Sequence, residues 1–335
     1  MSVRYKGRYV ESEFESAFVE LLESMGWKYD DNIEREKSEV LIKSDFIEFL
    51  ARSNADLGDE EREQIFENFR LVGGDSAFAT LHKVYNLLIN GVPFSPQNAP
   101  KKQISLIDFE NPLNNTFRVL NQFVIEYTNN GQKQKRVPDI VLFVNGVPLC
   151  IIELKNPADF NANIYSAWEQ IYVRYWRDIG HLFHYCVLAC ISDGVKTRLG
   201  TVRTAYQHFY AWRRVNEGDT LSTLPFDEMQ SMINGVYEPS RFLEIFRDYI
   251  YFEDSIYDSN ERQVVCRYPQ FFATRKLKQS IIESIRAKNG KGGTYFGATG
   301  CGKTYTMAFL ARQLALRCEN VAQIGSPTII LIVDR

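Results

Sequence analysis

The sequence has little of what marks several common protein classes. Six cysteines are spread over 335 residues without CxxC pairs, which argues against a disulfide framework or a zinc ribbon and predicts reduced, mostly buried thiols. Lysine and arginine number 39 against 42 acidic residues, so the formal charge of −3 provides no global basic field for nucleic acid. No run approaches the roughly 20 apolar residues of a membrane span, and the first residues lack a signal peptide. We therefore expect a cytoplasmic protein without membrane contact, in which any DNA contact comes from local patches.

The rest of the composition is that of an ordinary folded protein. Hydrophobic residues make up 45% and charged residues 24% of the chain. Its 335 residues suffice for about two domains. We place the boundary between Phe252 and Val264, which gives a first domain over residues 1–255 and a second over 256–335.

The apolar periodicity changes from helix to strand along the first domain. Glu13 to Met25 has helical spacing and stops at Gly26, and a charged, helix-rich stretch follows from Glu36 to Leu88, with Asp45 and Asp59 as possible caps. The segments RVLNQFVIEY, VPDIVLFV and VPLCIIELK, joined by turns, then predict an antiparallel meander. NIYSAWEQIYVRYW predicts a helix and CVLACIS a buried strand.

The second domain alternates helix and strand. A helix, the short strand GGTYFGA, a glycine loop, a second helix and the strand PTIILIVD follow one another. This order predicts the beginning of a parallel α/β domain.

The clearest chemical pattern in the meander is PD, a hairpin and then ELK. Asp139 lies in one strand, and Glu153 and Lys155 lie two apart in the next, so alternation puts the last two side chains on one face of the sheet. Two carboxylates that hold Mg²⁺ beside a cation suit phosphodiester hydrolysis. A solvated hairpin face is the alternative, but both carboxylates have apolar neighbours, where an unpaired charge is expensive. The pattern therefore favours a metal-dependent nuclease site.

The simplest hairpin register does not bring these carboxylates together. A two-residue turn at Asn145 and Gly146 pairs Asp139 with Ile152 and points it away from Glu153. A bulge at Pro138 and Asp139, or a longer loop that uses Pro148, shifts the pairing by one residue. We predict such an irregularity.

The segment VPDIVLFVNGVPLCIIELKNP resembles the signature of the restriction (R) subunit of type I restriction enzymes, and the resemblance extends over roughly residues 10 to 335. It implies an α/β fold with a PD-(D/E)xK restriction-endonuclease-like core, in which helices flank a central mixed sheet and Asp139, Glu153 and Lys155 are catalytic. It also matches Glu15 to a helical glutamate that helps to hold metal in related nucleases. A surface glutamate on an amphipathic helix is the alternative for Glu15.

The resemblance further implies a glutamine and a tyrosine on the helix after the lysine, commonly as QxxxY. Gln170 fits the glutamine, as a contact to DNA or to the active site, but Arg174 stands where the tyrosine is expected. Tyr172 and Tyr175 remain open as its replacement. Basic clusters suited either to backbone phosphates or to an ordinary solvated surface comprise Lys133, Lys135, Arg136, Arg174, Arg177, Lys196, Arg198 and Arg203.

The second domain contains GATGCGKT, a full match to the P-loop pattern GxxxxGKS/T between a strand and a helix. Gly297, Gly300 and Gly302 let backbone N–H groups wrap phosphates, Lys303 reaches the outer phosphates, and Thr304 coordinates Mg²⁺. The loop predicts that ATP and Mg²⁺ bind here.

Upstream of the loop, RYPQ resembles the adenine-reading Q motif of superfamily 2 helicases and assigns Gln270 to the base, with a turn or cap residue as the alternative. The sequence, which ends at Arg335, lacks the later acidic strand and the second lobe of such motors. We therefore expect an incomplete RecA-like P-loop domain that hydrolyses ATP poorly and exposes apolar surface.

Together the two motifs carry a resemblance that implies a fragment of a type I site-specific deoxyribonuclease. We therefore expect the restriction subunit of an ATP-dependent restriction-modification system, which would cut DNA with Mg²⁺. The resemblance implies ATP-driven translocation in the full-length family, with double-stranded DNA and modification and specificity subunits as partners. A standalone helicase-nuclease fragment and a truncated, non-catalytic relic that binds DNA or subunits are the alternatives.

Overall fold

The computed structural model describes residues 2–30, 32–96, 100–156, 163–221, 227–253, 261–316 and 324–332, with side chains from residue 12 onward. The helices are α1 (Ser2–Ser24), α2 (Lys43–Ser53), α3 (Asp59–Arg70), α4 (Ala77–Asn90), α5 (Ile164–Glu169), α6 (Trp176–Asp178), α7 (Asp227–Val236), α8 (Pro239–Asp248), α9 (Tyr268–Ala287) and α10 (Lys303–Leu316). The strands are β1 (Lys28–Tyr29), β2 (Val92–Phe94), β3 (Lys102–Ile104), β4 (Phe117–Asn121), β5 (Ile125–Asn129), β6 (Gln132–Arg136), β7 (Ile140–Val144), β8 (Val147–Leu154), β9 (Leu188–Ser192), β10 (Thr197–Thr201), β11 (Ile250–Glu253) and β12 (Arg262–Val265).

The chain divides into two compact units. The first comprises residues 1–243 and 251–264, and the second comprises residues 244–250 and 265–335. The domain division at residues 255 and 256 remains a prediction. Within the described ranges, no helix is long and apolar enough to cross a membrane.

A six-stranded mixed sheet, in the order β1-β4-β7-β8-β9-β10, forms the centre of the first unit. Strands β1 and β4 are parallel, as are β8 and β9, and the other neighbours are antiparallel. All residues of β7, β8 and β9 are buried. This agrees with their continuous apolar sequences, which are typical of strands covered on both faces. The coarse expectation of a mixed α/β fold with a central mixed sheet is confirmed.

The predicted meander is correct in its pairing of β7 with β8 but wrong at its first strand. RVLNQFVIEY forms two strands, because Gln122 takes the left-handed conformation with φ of +47° and ends β4. Strand β5 then pairs with β6 in a separate, largely exposed two-stranded ribbon. Strand β4 pairs directly with β7.

The helical stretch before the sheet is present, but neither predicted cap is a cap. Ile42 and Gly58 occupy the N-cap positions of α2 and α3, so Asp45 and Asp59 fall inside the first turns. There, acidic side chains interact favourably with the helix dipole. Asp45 is buried and instead accepts two hydrogen bonds from Arg118, at 2.7 and 2.8 Å.

In the second unit the two predicted strands are not formed over their described residues, and the last two residues of PTIILIVD lie outside the described part of the chain. Residues 292–298 and 327–332 have no strand pairing in the described part of the unit. A strand is stabilised by a hydrogen-bonded neighbour, which local apolar sequence cannot supply. Apolar side chains are accordingly exposed, with Phe296 at 91% and Ile332 at 92%. Exposed apolar side chains are thus present, but the unfinished sheet expected to carry them and the α/β alternation are not observed among the described residues of this unit.

Candidate nuclease and nucleotide sites

A β-bulge sets the register that brings the two predicted catalytic carboxylates together. Asn145 and Gly146 form the expected two-residue turn, both with positive φ, and pair Val144 with Val147. The register then shifts between Leu142 and Phe143, so that Ile140 pairs with Ile152. Asp139 is thereby placed opposite Glu153 rather than Ile152. The predicted irregularity is confirmed, but it lies at Leu149 in the middle of β8 and not at Pro138 or in the turn.

Asp139 lies directly before β7 and is fixed by the backbone. Its Oδ2 accepts a 2.7 Å hydrogen bond from the N–H of Leu154, and its carbonyl accepts one from Gln122. Its carboxyl group is close enough to that of Glu153 for each to affect the pKa of the other. The side chain is 8% exposed, so this end of the hairpin is only narrowly open to solvent.

Glu153 is fully buried at the end of β8 and receives three polar side chains. Its Oε1 accepts hydrogen bonds from the ammonium of Lys155, at 2.9 Å, and from Nε2 of Gln170. Its Oε2 accepts one from the hydroxyl of Tyr175 at 3.2 Å. Lys155 therefore shares the sheet face of Glu153, as strand alternation predicts.

The electrostatics of this site oppose full ionisation of both acids. Burial raises the pKa of Asp139, against the smaller effects of Lys155 and the Leu154 N–H. Burial and the neighbouring charge of Asp139 raise the pKa of Glu153 well above its ordinary value. Among the described residues, one cationic side chain, that of Lys155, thus contacts this pair of buried carboxylates. A divalent cation fits the oxygen-rich donor set, because it adds positive charge between the two acids.

A π-helical turn explains the departure from the QxxxY spacing. Residues Gln170–Tyr175 form a π-helix between α5 and α6, and such a turn holds one residue more than an α-helical turn. Tyr175, five residues after Gln170, therefore reaches both the Gln170 amide, at 2.7 Å, and Glu153. Tyr172 stacks on Trp168 instead. Between the two tyrosines left open by the sequence, the geometry favours Tyr175.

Deletion of Val173 tests whether this turn absorbs a one-residue insertion. Val173 is 48% exposed, and its removal returns the glutamine-to-tyrosine spacing to four, which a regular α-helical turn spans. We expect the free energy of unfolding to change by less than about 1 kcal/mol. Deletion of the exposed Lys83 is the control, because it rotates the buried face of the regular helix α4 and should cost more than about 4 kcal/mol. If the two deletions lowered the free energy of unfolding equally in chemical denaturation, the π-turn would not contain an inserted residue.

Glu15 approaches the site through a residue that the sequence did not single out. It is 5% exposed on α1, and its Oε2 accepts a 2.9 Å hydrogen bond from Gln122. The backbone N–H of Gln122 in turn donates to the carbonyl of Asp139 at 2.8 Å. A polar residue between two apolar runs was the available signal for Gln122. Among the described residues, no three His, Cys, Asp or Glu side chains form a metal-sized group, so Glu15 is not brought into one cluster with the other two acids.

The glycine loop of the second unit surrounds its own lysine. Gly300 and Gly302 have φ of +78° and +82°, and α10 begins at Lys303. The ammonium of Lys303 donates to the carbonyls of Gly297 and Ala298 at 2.8 and 3.1 Å. The loop therefore curves around a cation at a helix N-terminus, an arrangement that suits a bound anion. Thr304 is exposed in the first turn of the helix.

Gln270 links α9 to this loop. Its Oε1 accepts a 2.8 Å hydrogen bond from the N–H of Arg267, and its Nε2 donates to the carbonyl of Gly302 at 3.1 Å. The side chain is 3% exposed. It thus acts in this structure as a cap that also holds the loop, and the predicted contact with adenine remains a prediction.

Comparisons with known proteins place the chain among restriction enzymes. Residues 8–208, more than half of the chain, match the family of the type I restriction enzyme R protein N terminus, and residues 269–335 match the SWI2/SNF2 ATPase family. The type I restriction enzyme HindI endonuclease subunit of Haemophilus influenzae is 30% identical over 97% of this chain and 31% of its own length. A putative type I restriction enzyme MjaIXP endonuclease subunit of Methanocaldococcus jannaschii is 26% identical over 96% of this chain and 32% of its own length.

The extent of these matches differs between the relatives. The chain spans about a third of the length of the first two. It is also 24% identical, over 85% of this chain, to the type I restriction enzyme EcoprrI endonuclease subunit of Escherichia coli, of which it covers 88%. Since the family match covers most of the first unit, including the hairpin that carries Asp139 and Glu153, this chain belongs to the family of type I restriction enzyme R proteins, in their N-terminal region.

Proposed function

We propose that this chain carries the nuclease site of the restriction subunit of an ATP-dependent type I restriction-modification system, with a PD-(D/E)xK core that hydrolyses phosphodiester bonds of double-stranded DNA. The observation that carries the proposal is the bulge in β8, which places Asp139 opposite Glu153 with Lys155 beside them. A structural hairpin has no need to bury two carboxylates against each other, since unpaired burial of charge is unfavourable.

Asp139 and Glu153 are the proposed ligands of a divalent cation such as Mg²⁺, which would polarise the scissile phosphate when bound. Two protein carboxylates suffice for Mg²⁺, because this ion usually retains several waters and takes further oxygens from the substrate. Glu15 is proposed as an outer contact that acts through Gln122 and the backbone of Asp139.

Three further side chains prepare Glu153 for this role. The Lys155 ammonium is proposed to offset negative charge that develops on the phosphate, since it lies on the same face at the solvent-facing end of β8. Gln170 and Tyr175 hold the two oxygens of Glu153 in one orientation. This fixed geometry lowers the reorganisation needed when a cation and DNA bind.

The direct test is incubation of the chain with supercoiled plasmid in Mg²⁺, in EDTA, and with or without ATP. We expect Mg²⁺-dependent nicking or linearisation that EDTA prevents. Cleavage that persists in EDTA, or its absence in Mg²⁺ and Mn²⁺ from protein that still binds DNA, would contradict the proposal. The second result would favour a relic that binds DNA or the modification and specificity subunits without turnover.

ATP binding at the glycine loop is the second proposed function, in a RecA-like motor that the whole protein uses for translocation along DNA. It is supported by the curvature of the loop around Lys303 at the start of α10 and by the similarity to SWI2/SNF2 ATPases. Gly297, Gly300 and Gly302 would wrap the phosphates. Lys303 would exchange its two carbonyl contacts for phosphate oxygens, and Thr304 would meet Mg²⁺.

Replacement of Lys303 by alanine should weaken ATP binding by about tenfold to a hundredfold, because a charge-assisted hydrogen bond contributes about 1.5–3 kcal/mol. Isothermal titration of ATP into the two proteins measures the difference. Lys291→Ala, at an exposed lysine before the loop, is the matched control and should bind ATP like the unmodified chain. Equal affinities in all three proteins would show that nucleotide does not use this loop.

A further inference from the structure

A basic pocket lies beside the proposed nuclease site. It has a volume of about 280 Å³ and is lined by Lys135, Arg136, Val137, Gln170, Arg174 and Tyr175. Three of these six residues are cations, and none is a carboxylate. They come from two separate elements, the end of β6 and the π-helix, so their convergence is a property of the tertiary structure.

The three cations differ in how firmly they are engaged. Arg136 is bound to Asp178, and the hydrogen bonds from Arg177 and then from Arg136 lower the pKa of Asp178 to about 2. Arg174 makes only a 3.4 Å contact with Glu169 between side chains that are about half exposed, and such surface pairs contribute little. Lys135 is exposed and makes no ion pair with any described residue. Arg174 and Lys135 therefore remain available to an anionic ligand.

The wall of the pocket is shared with the catalytic carboxylate. Gln170 and Tyr175 line the pocket and also donate hydrogen bonds to Glu153. The Tyr175 hydroxyl additionally approaches the carbonyl of Val137 at 3.2 Å, two residues before Asp139. The side chains of Gln170 and Tyr175 thus separate a group held in the pocket from the carboxylate at which the scissile phosphate is proposed to bind.

The π-helix accounts for the position of both aromatic and basic side chains. In a regular α-helix the residue four after Gln170 would face Glu153, and here that residue is Arg174. The additional residue in the π-turn gives that place to Tyr175 and leaves Arg174 on the pocket. One local irregularity thus separates a residue that orients the carboxylate from a residue that meets an anion.

We propose that this pocket binds a DNA backbone phosphate adjacent to the scissile one, with Lys135 and Arg174 as its ligands. The inference rests on the proposed nuclease function of the neighbouring carboxylates. Successive phosphates of one strand are regularly spaced, so a strand whose phosphate lies at Asp139 and Glu153 presents its neighbour to this wall. Phosphate contacts of this kind fix the register of a strand without reading its sequence.

The test is the salt dependence of binding to a short fluorescent DNA duplex, measured by anisotropy with Ca²⁺ in place of Mg²⁺. We expect Lys135→Gln with Arg174→Gln to weaken binding by about tenfold and to reduce the slope of log affinity against log salt by about 0.9 for one lost phosphate contact. Lys135→Arg with Arg174→Lys should retain the slope. Lys83→Gln, at an exposed lysine of α4, is the control and should also retain it.

Cleavage of the same duplex in Mg²⁺ separates this proposal from the one on which it rests. The double glutamine variant should raise KM by more than it lowers kcat, because Glu153 and its partners are unchanged. If the slope of log affinity against log salt were unaltered in that variant while the unmodified chain cleaved DNA normally, the proposal for the pocket would be wrong. The proposed nuclease function would then still stand. An unaltered slope would also be the result for a pocket that takes only a free phosphate ion. A reduced slope without any cleavage supports the pocket and counts against the nuclease.

Discussion

Replacement of Asp139 by asparagine should reduce DNA cleavage by at least about a hundredfold, which is the usual size of the loss when one preorganised electrostatic contact is removed. Asparagine retains an oxygen that can accept the hydrogen bond from Leu154, so the hairpin register is preserved. What it removes is one of the two negative charges proposed to hold the cation. The loss should therefore appear in kcat, measured as the rate of plasmid nicking at saturating protein, and should not be accompanied by a lower melting temperature.

The matched control is Asp45→Asn, which also neutralises a buried aspartate of the same unit. Asp45 holds Arg118 by two hydrogen bonds, and its neutralisation weakens a buried ion pair. This variant should unfold more easily and still cut DNA under conditions in which it is folded. If Asp139→Asn retained cleavage, or if Asp45→Asn lost it while folded, Asp139 would not have the proposed role.

Glu153→Gln should stabilise the protein when divalent ions are removed by EDTA. Glutamine keeps the shape and one of the two acceptor oxygens of the side chain but removes the repulsion between two buried carboxylates. We expect the free energy of unfolding at neutral pH to increase, because burial and the neighbouring charge of Asp139 raise the pKa of Glu153 and so disfavour its ionised form. Denaturant titration in EDTA measures this increase. A loss of stability would mean that the contacts of Glu153 with Lys155 and Tyr175 outweigh its repulsion from Asp139.

The pH dependence of this effect follows from the direction of the two pKa shifts. The pKa of Asp139 and that of Glu153 are both raised in the folded protein, and burial is the largest cause in each case. The folded protein therefore binds more protons than the unfolded chain above the ordinary carboxyl pKa of about 4. Its stability in EDTA falls as the pH rises from there through the raised values. Glu153→Gln should show a smaller fall over the same range.

Addition of Mg²⁺ should make the unmodified chain more stable than Glu153→Gln, which reverses their order of stability in EDTA. A cation that binds the folded state stabilises it in proportion to its occupancy, and both ionised carboxylates are needed to hold it. The unmodified chain should therefore gain stability with Mg²⁺ at neutral pH, whereas Glu153→Gln should gain little. Equal responses of the two proteins to Mg²⁺ would place any cation binding elsewhere in the chain.

Local sequence carried enough information for the parts of the site that depend on neighbouring residues. Strand alternation placed Glu153 and Lys155 on one face, and the positive φ that Asn145 and Gly146 tolerate set the turn. The need for a register shift also followed from counting residues between Asp139 and Glu153. The location of that shift did not, because a bulge in the middle of β8 depends on packing against both neighbouring strands.

Features that join distant segments were beyond the sequence. The link from Glu15 through Gln122 spans 107 residues, and the left-handed conformation of Gln122 that ends β4 has no local glycine to signal it. The choice of Tyr175 over Tyr172 depended on a π-turn, which has no simple periodic signature. The strands expected around the glycine loop did not form, for the opposite reason. Their local sequence pattern is present, but the described residues provide no strand with which they could pair.

The sequence by itself thus determined which residues carry the proposed chemistry: a paired-carboxylate and lysine motif, a glycine loop with its lysine, and their order along the chain. These depend on residue type and short spacing, which a single sequence displays directly. The tertiary structure alone decided that Asp139 faces Glu153, that Tyr175 orients that carboxylate, and that Lys135 and Arg174 share a pocket. Each of these juxtapositions is set by register, by helical phase or by packing between elements far apart in the chain, and a change of one residue in any of them would redirect the side chain.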